Sequence, residues 1–242
     1  MLEDNRLTDA QAAVDAAVSR FSKVDGTDLA PARPLSNAEW CEGVYCNADG
    51  DPDRVPWCRC GPDGLLLKWL GNDAPRLVRP GCRAVVVGCG LGDDVAELAA
   101  RGFDVVGFDI ASSAVRWAAR RFPSHASRFL QCDLLDLPLR MAGRFDLVVE
   151  VCTLQSMPPE LRKTAAASLA RLTAPRGVVL AISCGKHAEE EGPQEGPPWP
   201  LSADELQSLM GGAGLASMRP VAEIPCVDDP DHVRVMGAFV RG

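Results

Sequence analysis

Gly88-Cys89-Gly90-Leu91-Gly92 directly follows Val85-Val86-Val87, and the next apolar run, Val105 to Phe108, ends on Asp109. Glycines at alternate positions let a ligand approach the main chain, because no side chain stands in the way. A carboxylate roughly twenty residues further on can accept hydrogen bonds from ribose hydroxyls. A strand, a glycine turn, a helix and a second strand ending in an acid make a nucleoside-binding unit. A dinucleotide fingerprint would place a further glycine where this chain has Asp93. Asp93 and Asp94 then stand at the start of a helix, where an acid is favourable and a pyrophosphate meets like charge. The expected ligand carries a cationic or zwitterionic end.

Other residues could complete such a site. Asp133 follows a third short strand and could accept from an adenine amino group, with Leu134 as an apolar wall. Glu150 ends a fourth strand, beside the place expected for the amino-acid part of the ligand. Trp40, Tyr45 and Trp57 from the N-terminal part, with Pro198, Trp199 and Leu201, could form an aromatic lid that excludes water. Of the three histidines, His125 and His232 are expected to be remote. His187 follows the fifth strand on the correct side of the sheet and is a candidate base. The ten cysteines read mainly as small packing groups, Cys82, Cys89, Cys132, Cys152 and Cys184 lying at or beside strands. The spacing of Cys41, Cys46, Cys58 and Cys60 is not that of a common zinc site, and Asp133, Asp136 and Glu150 make a poor oxygen-ligand set. No metal is expected.

The elements that must position these residues follow from periodicity and punctuation. A helix is expected over residues 7 to 24, with Thr8 as a possible cap, then a linker from Gly26 to Pro34. Short helices follow at Glu39 to Val44 and Gly64 to Gly71. Strands are expected at 84–87, 105–108, 127–131, 145–150 and 177–183. Helices are expected at 94–101, 112–122 (capped by Ser112), 159–172 and 202–209 (capped by Ser202, with Glu205 at the capping-box position). Strands alternating with helices indicate a mostly parallel sheet covered on both faces. Two final strands, 218–224 and 233–240, have no helix between them and form a terminal antiparallel hairpin. There is no second mononucleotide-binding half. Residues 1–60 read as a helical extension and lid, and 61–242 as the catalytic domain. The acidic, proline-rich stretch after Gly185 is long for an internal connection.

The chain has 242 residues, 47% hydrophobic and 24% charged, and a formal net charge of -8. The acidic balance disfavours nucleic acid as a partner. The absence of a long apolar run or a leader pattern disfavours a membrane and leads to the expectation of a cytoplasmic protein. The expected partner is a small-molecule acceptor, with the protein a monomer or homodimer.

On its glycine turn, the acids after the second and third strands and the terminal hairpin, the chain resembles the class I S-adenosylmethionine-dependent methyltransferases. The resemblance implies an α/β Rossmann-like fold, a mostly parallel seven-stranded sheet with an antiparallel C-terminal hairpin, and helices on both faces. It implies S-adenosyl-L-methionine as cofactor and S-adenosyl-L-homocysteine as product. Gly88, Cys89, Gly90 and Gly92 would then pass its amino-acid part, Asp109 and Ile110 its ribose and adenine, and Cys132, Asp133 and Leu134 its adenine edge. Glu150 to Gln155 would lie where cofactor and substrate meet. Pro56-Trp57, the helix LeuLeuLeuLysTrpLeu, PheAspLeuValValGlu and ProProTrpProLeuSer are similar to a bacterial small-molecule branch related to thiopurine and thiol methyltransferases. That similarity implies Trp57 as a lid over the cofactor, and Trp40, Tyr45, Gln155 and Trp199 as substrate contacts. His187 and Tyr45 are the candidate catalytic groups. The implied reaction is in-line methyl transfer to sulfur, oxygen or nitrogen of a small molecule. A nicotinamide-dependent oxidoreductase and a non-catalytic S-adenosylmethionine-binding partner protein are the alternatives.

Overall fold

A computed structural model describes residues 36–79, 81–186, 196–225 and 233–242. The helix expected over 7–24, the linker after it, His187, His232 and most of the acidic loop lie outside the described residues. Among the described residues no helix is long and apolar enough to cross a membrane.

Five parallel strands form the centre: β1 (Arg83–Val87), β2 (Asp104–Asp109), β3 (Phe129–Gln131), β4 (Phe145–Val151) and β5 (Thr173–Cys184). β8 (Val233–Arg241) runs antiparallel to β5 and pairs on its far side with β6 (Leu215–Ser217) and β7 (Ala222–Pro225). The order is β3-β2-β1-β4-β5-β8-β6, with β7 also on β8. The sheet therefore has eight strands rather than the expected seven. The extra one arises because the strand before the hairpin is broken. Leu215–Ser217 and Ala222–Pro225 both pair with β8, and the segment between them contains Pro220, which cannot donate to a ladder.

Side chains alternate across the sheet as the period of a strand demands. In β1, Ala84 and Val86 pack into one layer while Val85 and Val87 enter the other. The first layer is closed by α2 (Gly64–Asn72), through Leu66, Trp69 and Leu70, and by α4 (Asp93–Ala100), through Val95 and Leu98. α3 (Ala74–Leu77) is a single turn between them. The second layer is closed by α6 (Arg162–Leu172) and α7 (Ala203–Gly212), which contribute Ala165, Leu169, Leu206 and Met210.

A third, smaller core holds α1 (Asn37–Ala48) against α5 (Ser112–Arg121) through Tyr45, Ala48, Ala114 and Trp117. α1 is longer than its expected six residues because Ser36 and Glu39 form a complete capping box at its start. The start of α5 differs from expectation. Ser112 does not cap its own helix; Glu42 of α1 accepts from the Ser113 N–H at 3.1 Å and from the Ser112 hydroxyl at 3.2 Å. Burial works against a charge there, but these donors hold the Glu42 carboxyl below its usual range. An acid brought in from another element thus serves the helix N-terminus. At α7 half of the expected box forms: Ser202 accepts from Glu205 N, while the Glu205 carboxylate turns to Arg162 at 2.6 Å and Lys186 at 3.0 Å.

Candidate functional site

Between β1 and its two neighbours the direction of strand succession reverses, and such a switch point opens a crevice at the carboxyl ends of the strands. A cavity of about 370 Å³ lies there, within the usual range for small-molecule sites. Val87, Gly88, Phe108, Asp109, Ile110, Cys132, Asp133 and Leu134 line it from the nucleoside side. Trp40, Tyr45, Trp57 and Arg59 line it from the N-terminal segment, and Cys152, Gln155, Met157, Cys184 and Pro198 from the ends of β4 and β5 and beyond. One site thus gathers segments far apart in the chain.

On the nucleoside side the main chain sets the geometry. Gly88 has φ 60°, and a Cβ there would run into the Thr153 hydroxyl, which itself donates to Val87 O at 3.1 Å. Gly92, at φ 91°, lets α4 pack onto its neighbours, since a Cβ would lie 2.8 Å from the Phe129 ring. Asp109 accepts from Gly90 N and from Ala111 N, both at 2.9 Å. Burial pushes its carboxyl up, and these backbone donors oppose the shift. Each carboxylate oxygen keeps a further lone-pair site, which suits a diol donor. Asp133 accepts from Leu135 N at 2.8 Å, which fixes its carboxylate at the cavity edge beside Leu134. Glycines with no room for a Cβ, a backbone-held acid and apolar walls at Phe108, Ile110 and Leu134 fit the nucleoside of S-adenosylmethionine.

Two expectations for the acids need correction. Asp93 is paired with Arg121 through contacts of 2.6 and 2.9 Å, and Arg121 also donates to Leu91 O at 2.8 Å. Burial pushes the Asp94 carboxyl up to about 7, and it accepts from Asp63 N at 2.8 Å. Neither acid therefore presents a bare charge to a phosphate, so like-charge repulsion is a weak ground for excluding pyrophosphate. Glu150 does not line the cavity. It is fully buried and accepts from Thr153 N at 2.6 Å and Leu154 N at 2.9 Å, so it shapes the turn after β4. Burial pushes its carboxyl up to about 7, and its second oxygen has no partner.

Trp40, Tyr45 and Trp57 form an aromatic cluster along one side of the cavity. Trp57 Nε1 donates to Tyr45 Oη at 2.9 Å, and the Trp57 ring lies 5.4 Å from that of Trp40 and 5.6 Å, edge-on, from that of Tyr45. A Cβ on Gly90 would stand 3.0 Å from the Tyr45 hydroxyl, so this cluster reaches the glycine turn. Burial pushes the Tyr45 phenol well up, which makes it a neutral donor and a poor base. Trp199 does not line the cavity: Pro197 and Pro198 do. Trp199 N donates to Gln155 O at 2.7 Å, and its carbonyl accepts from buried Arg162, which anchors the end of the loop.

The far wall joins Gln155, an expected substrate contact, to thiols and an arginine that were not singled out for function. Gln155 lines the cavity, but both ends of its amide turn to Cys184: Oε1 accepts from Cys184 N, and Nε2 lies 3.3 Å from the sulfur. Cys152 and Cys184, at the ends of the neighbouring strands β4 and β5, line the cavity together. Arg234, at the start of β8, pairs with Asp63 at 3.0 Å and reaches Cys152 Sγ at 3.6 Å. Their strand-end positions were a signal that these thiols face the crevice; a packing role explained only their apolarity. Among the described residues no group of three or more His, Cys, Asp or Glu could hold a metal ion.

Solved methyltransferases share this fold. The Burkholderia thailandensis 1,6-didemethyltoxoflavin-N1-methyltransferase, with bound 1,6-didemethyltoxoflavin and S-adenosylhomocysteine, superposes with a TM-score of 0.65 at 18% identity. The match covers 88% of this chain and 94% of that one. Fold and cavity together define a Rossmann-like α/β domain with a small-molecule crevice. The sequence matches the thiopurine S-methyltransferase family over residues 52–223, and the chain belongs to that family. It is an S-adenosylmethionine-dependent small-molecule methyltransferase. Thiocyanate methyltransferase 1 of Brassica oleracea is 27% identical over 67% of this chain and 74% of its own length. Thiopurine S-methyltransferase of Xanthobacter autotrophicus is 28% identical over 67% of this chain and 82% of its own.

Proposed function

We propose that the protein transfers the methyl group of S-adenosylmethionine to the sulfur of a small, flat thiol or thione by in-line displacement. The observation that carries this reading is the join between an apolar wall and a cation. Trp40, Trp57, Met157 and Pro198 can clasp a flat acceptor, and Arg59 lines the same cavity and favours an anionic form. A thiolate arrives with its nucleophile already formed, so the acceleration comes from alignment and exclusion of water rather than from strong base catalysis. The names of the relatives, a thiocyanate and a thiopurine methyltransferase, agree with a sulfur acceptor.

On this reading Asp109 holds the ribose, Asp133 the adenine amino group, and Tyr45 with Trp57 closes over the glycine turn. The test has two stages. Calorimetric titration is expected to show binding of S-adenosylmethionine and S-adenosylhomocysteine and none of NAD; NAD binding alone would favour the oxidoreductase alternative. A methyl-release screen over thiols, phenols, amines and halides is expected to rank aromatic thiols first. Methylation confined to amines or phenols would refute the sulfur assignment.

A further inference from the structure

Cys152 and Cys184 lie at the carboxyl ends of the neighbouring parallel strands β4 and β5, and both residues line the cavity. Cys152 has a left-handed backbone at φ 61°, and its N–H donates to Ile182 O at 2.7 Å, which ties the two strand ends together. The β4–β5 register, Val151 beside Ile182, brings the two cysteines together just past the paired residues. Gln155 cannot rotate away, because its Oε1 accepts from Cys184 N while Nε2 is aimed at Cys184 Sγ from 3.3 Å. Arg234 is buried beside the pair, held by Asp63 and by Ser183 O at 3.3 Å.

The two thiols are pushed in opposite directions. The neighbouring Cys152 thiol pushes the Cys184 thiol down to about 6, against the effect of burial, with Gln155 and Arg234 adding to it. The Cys184 neighbour, with burial, pushes Cys152 well up. Cys184 is thus drawn toward the thiolate and Cys152 toward the thiol, on neighbouring strand ends of one cavity. An accessible thiolate next to a resolving thiol is the arrangement that peroxides oxidise selectively.

We propose that Cys152 and Cys184 form a peroxide-oxidisable dithiol built into the wall of the methyl-transfer cavity. The Cys184 thiolate attacks one oxygen of hydrogen peroxide, the O–O bond breaks, and hydroxide leaves and takes up the proton that the Cys184 thiol had released to solvent. Sulfur is oxidised by two electrons to a sulfenic acid and the peroxide is reduced. The Cys152 sulfur then attacks the sulfenic sulfur; the S–S bond forms, and the S–O oxygen leaves as water with the Cys152 proton. Two thiols and one peroxide give one disulfide and two waters. The disulfide withdraws Cys184 Sγ from the Gln155 amide, and Gln155 O is what accepts from Trp199 N. The wall carrying Pro197 and Pro198 moves with it, while the Asp109 side is untouched. Oxidation therefore closes acceptor binding and spares cofactor binding. The loss of methyl transfer rests on the function proposed above; the disulfide itself does not.

The full-length protein is treated with hydrogen peroxide, alkylated and digested. A Cys152–Cys184 cross-linked peptide is expected, about 2 Da lighter than the two thiol peptides for the two hydrogens lost. Methyl transfer is expected to fall at least about tenfold and to return with dithiothreitol, while S-adenosylhomocysteine still binds. In Cys152→Ser, dimedone is expected to trap a sulfenic acid at Cys184; in Cys184→Ser neither product forms. The proposal is overturned if Cys184 stays alkylatable after a peroxide dose that oxidises Cys58 and Cys60, or if the cross-link joins other cysteines. Wild-type mapping decides this even if a variant fails to fold. A cross-link in a protein that binds no S-adenosylmethionine would keep the dithiol and sink the methyl-transfer reading.

Discussion

The glycine-turn wall and the β4–β5 wall of the same cavity are built in opposite ways. On the glycine side the main chain supplies most of the polar geometry: Gly90 N and Ala111 N hold Asp109, and missing side chains at Gly88 and Gly92 set the clearances. On the β4–β5 side the side chains supply it, with Gln155, Cys152, Cys184 and Arg234 engaging one another. A wall made of backbone keeps its shape across sequences and suits an invariant cofactor. A wall made of side chains can be changed residue by residue and suits a variable acceptor.

The largest expected effect concerns a feature the two walls share. Each hides one carboxyl that burial pushes up to about 7: Asp94 near the turn and Glu150 behind β4. An acid whose folded pKa exceeds its unfolded value keeps a proton in the native state that the unfolded chain has lost. Stability is then greatest below the unfolded value near 4, falls as pH rises toward about 7, and is flat above. Chemical denaturation at pH 5 and pH 8 is expected to differ by roughly 2–4 kcal/mol, less stable at pH 8. Asp94→Asn and Glu150→Gln are each expected to remove part of that slope. If only one does so, the two walls are unequal in their buried charge. A stability that rises with pH over this range would contradict both assignments.

Next in size, Asp109→Ala breaks the glycine side. It removes the acceptor proposed for the ribose and also the partner of Gly90 N and Ala111 N. S-adenosylmethionine affinity is expected to fall about 100-fold, or about 3 kcal/mol. Unchanged affinity in a calorimetric titration would mean that the cofactor does not use this wall.

The contrast between the walls also explains what could be read from the sequence. Gly88 to Gly92 and Asp109 belong to one continuous β-α-β unit, so local spacing revealed them. β1 and β4 were evident as short apolar runs. Gln155 and Cys184 are 29 residues apart and meet only because β4 and β5 pair. Arg234 meets Asp63 across 171 residues. No local pattern records such meetings. Glu150 was misplaced for the same reason: a strand end tells that a carboxylate is near the crevice, not that it turns inward to cap Thr153 and Leu154. The extra strand was missed because β6 is only three residues long and lies just before the expected strand 218–224, which runs through Pro220.

Gln155→Leu tests whether the two walls act independently. It removes the amide from Cys184, where Arg234, Arg59, Asp63 and Glu150 remain as the charged neighbours. The wild-type iodoacetamide alkylation rate of Cys184 is expected to have its midpoint near pH 6. In the variant that midpoint should move up, and the rate at pH 6.5 should fall roughly fivefold. S-adenosylhomocysteine affinity should change less than about twofold, since no glycine-side donor is touched. A large loss of cofactor affinity would show that the walls are coupled through Thr153, which touches both Glu150 and Val87.

The smallest expected effect lies at the lid, where the walls meet. Trp57 is 38% exposed, so its ring buries only part of its surface, and its N–H donates to Tyr45 at the cavity's edge. Trp57→Phe keeps most of the contact with Trp40 and loses the hydrogen bond. At a partly exposed site that bond contributes about 0.5–1.5 kcal/mol, so cofactor affinity should fall about threefold. Trp57→Ala also removes the ring contact with Trp40, and a further loss of about threefold to tenfold should appear mainly in the KM of the acceptor. Equal effects of the two substitutions would assign the lid's role to the Tyr45 hydrogen bond alone, and the aromatic wall would then be exchangeable. If instead phenylalanine matches the wild type while alanine does not, ring packing closes the lid, and Tyr45 holds its place through burial against Ala114 and Trp117 in the third core.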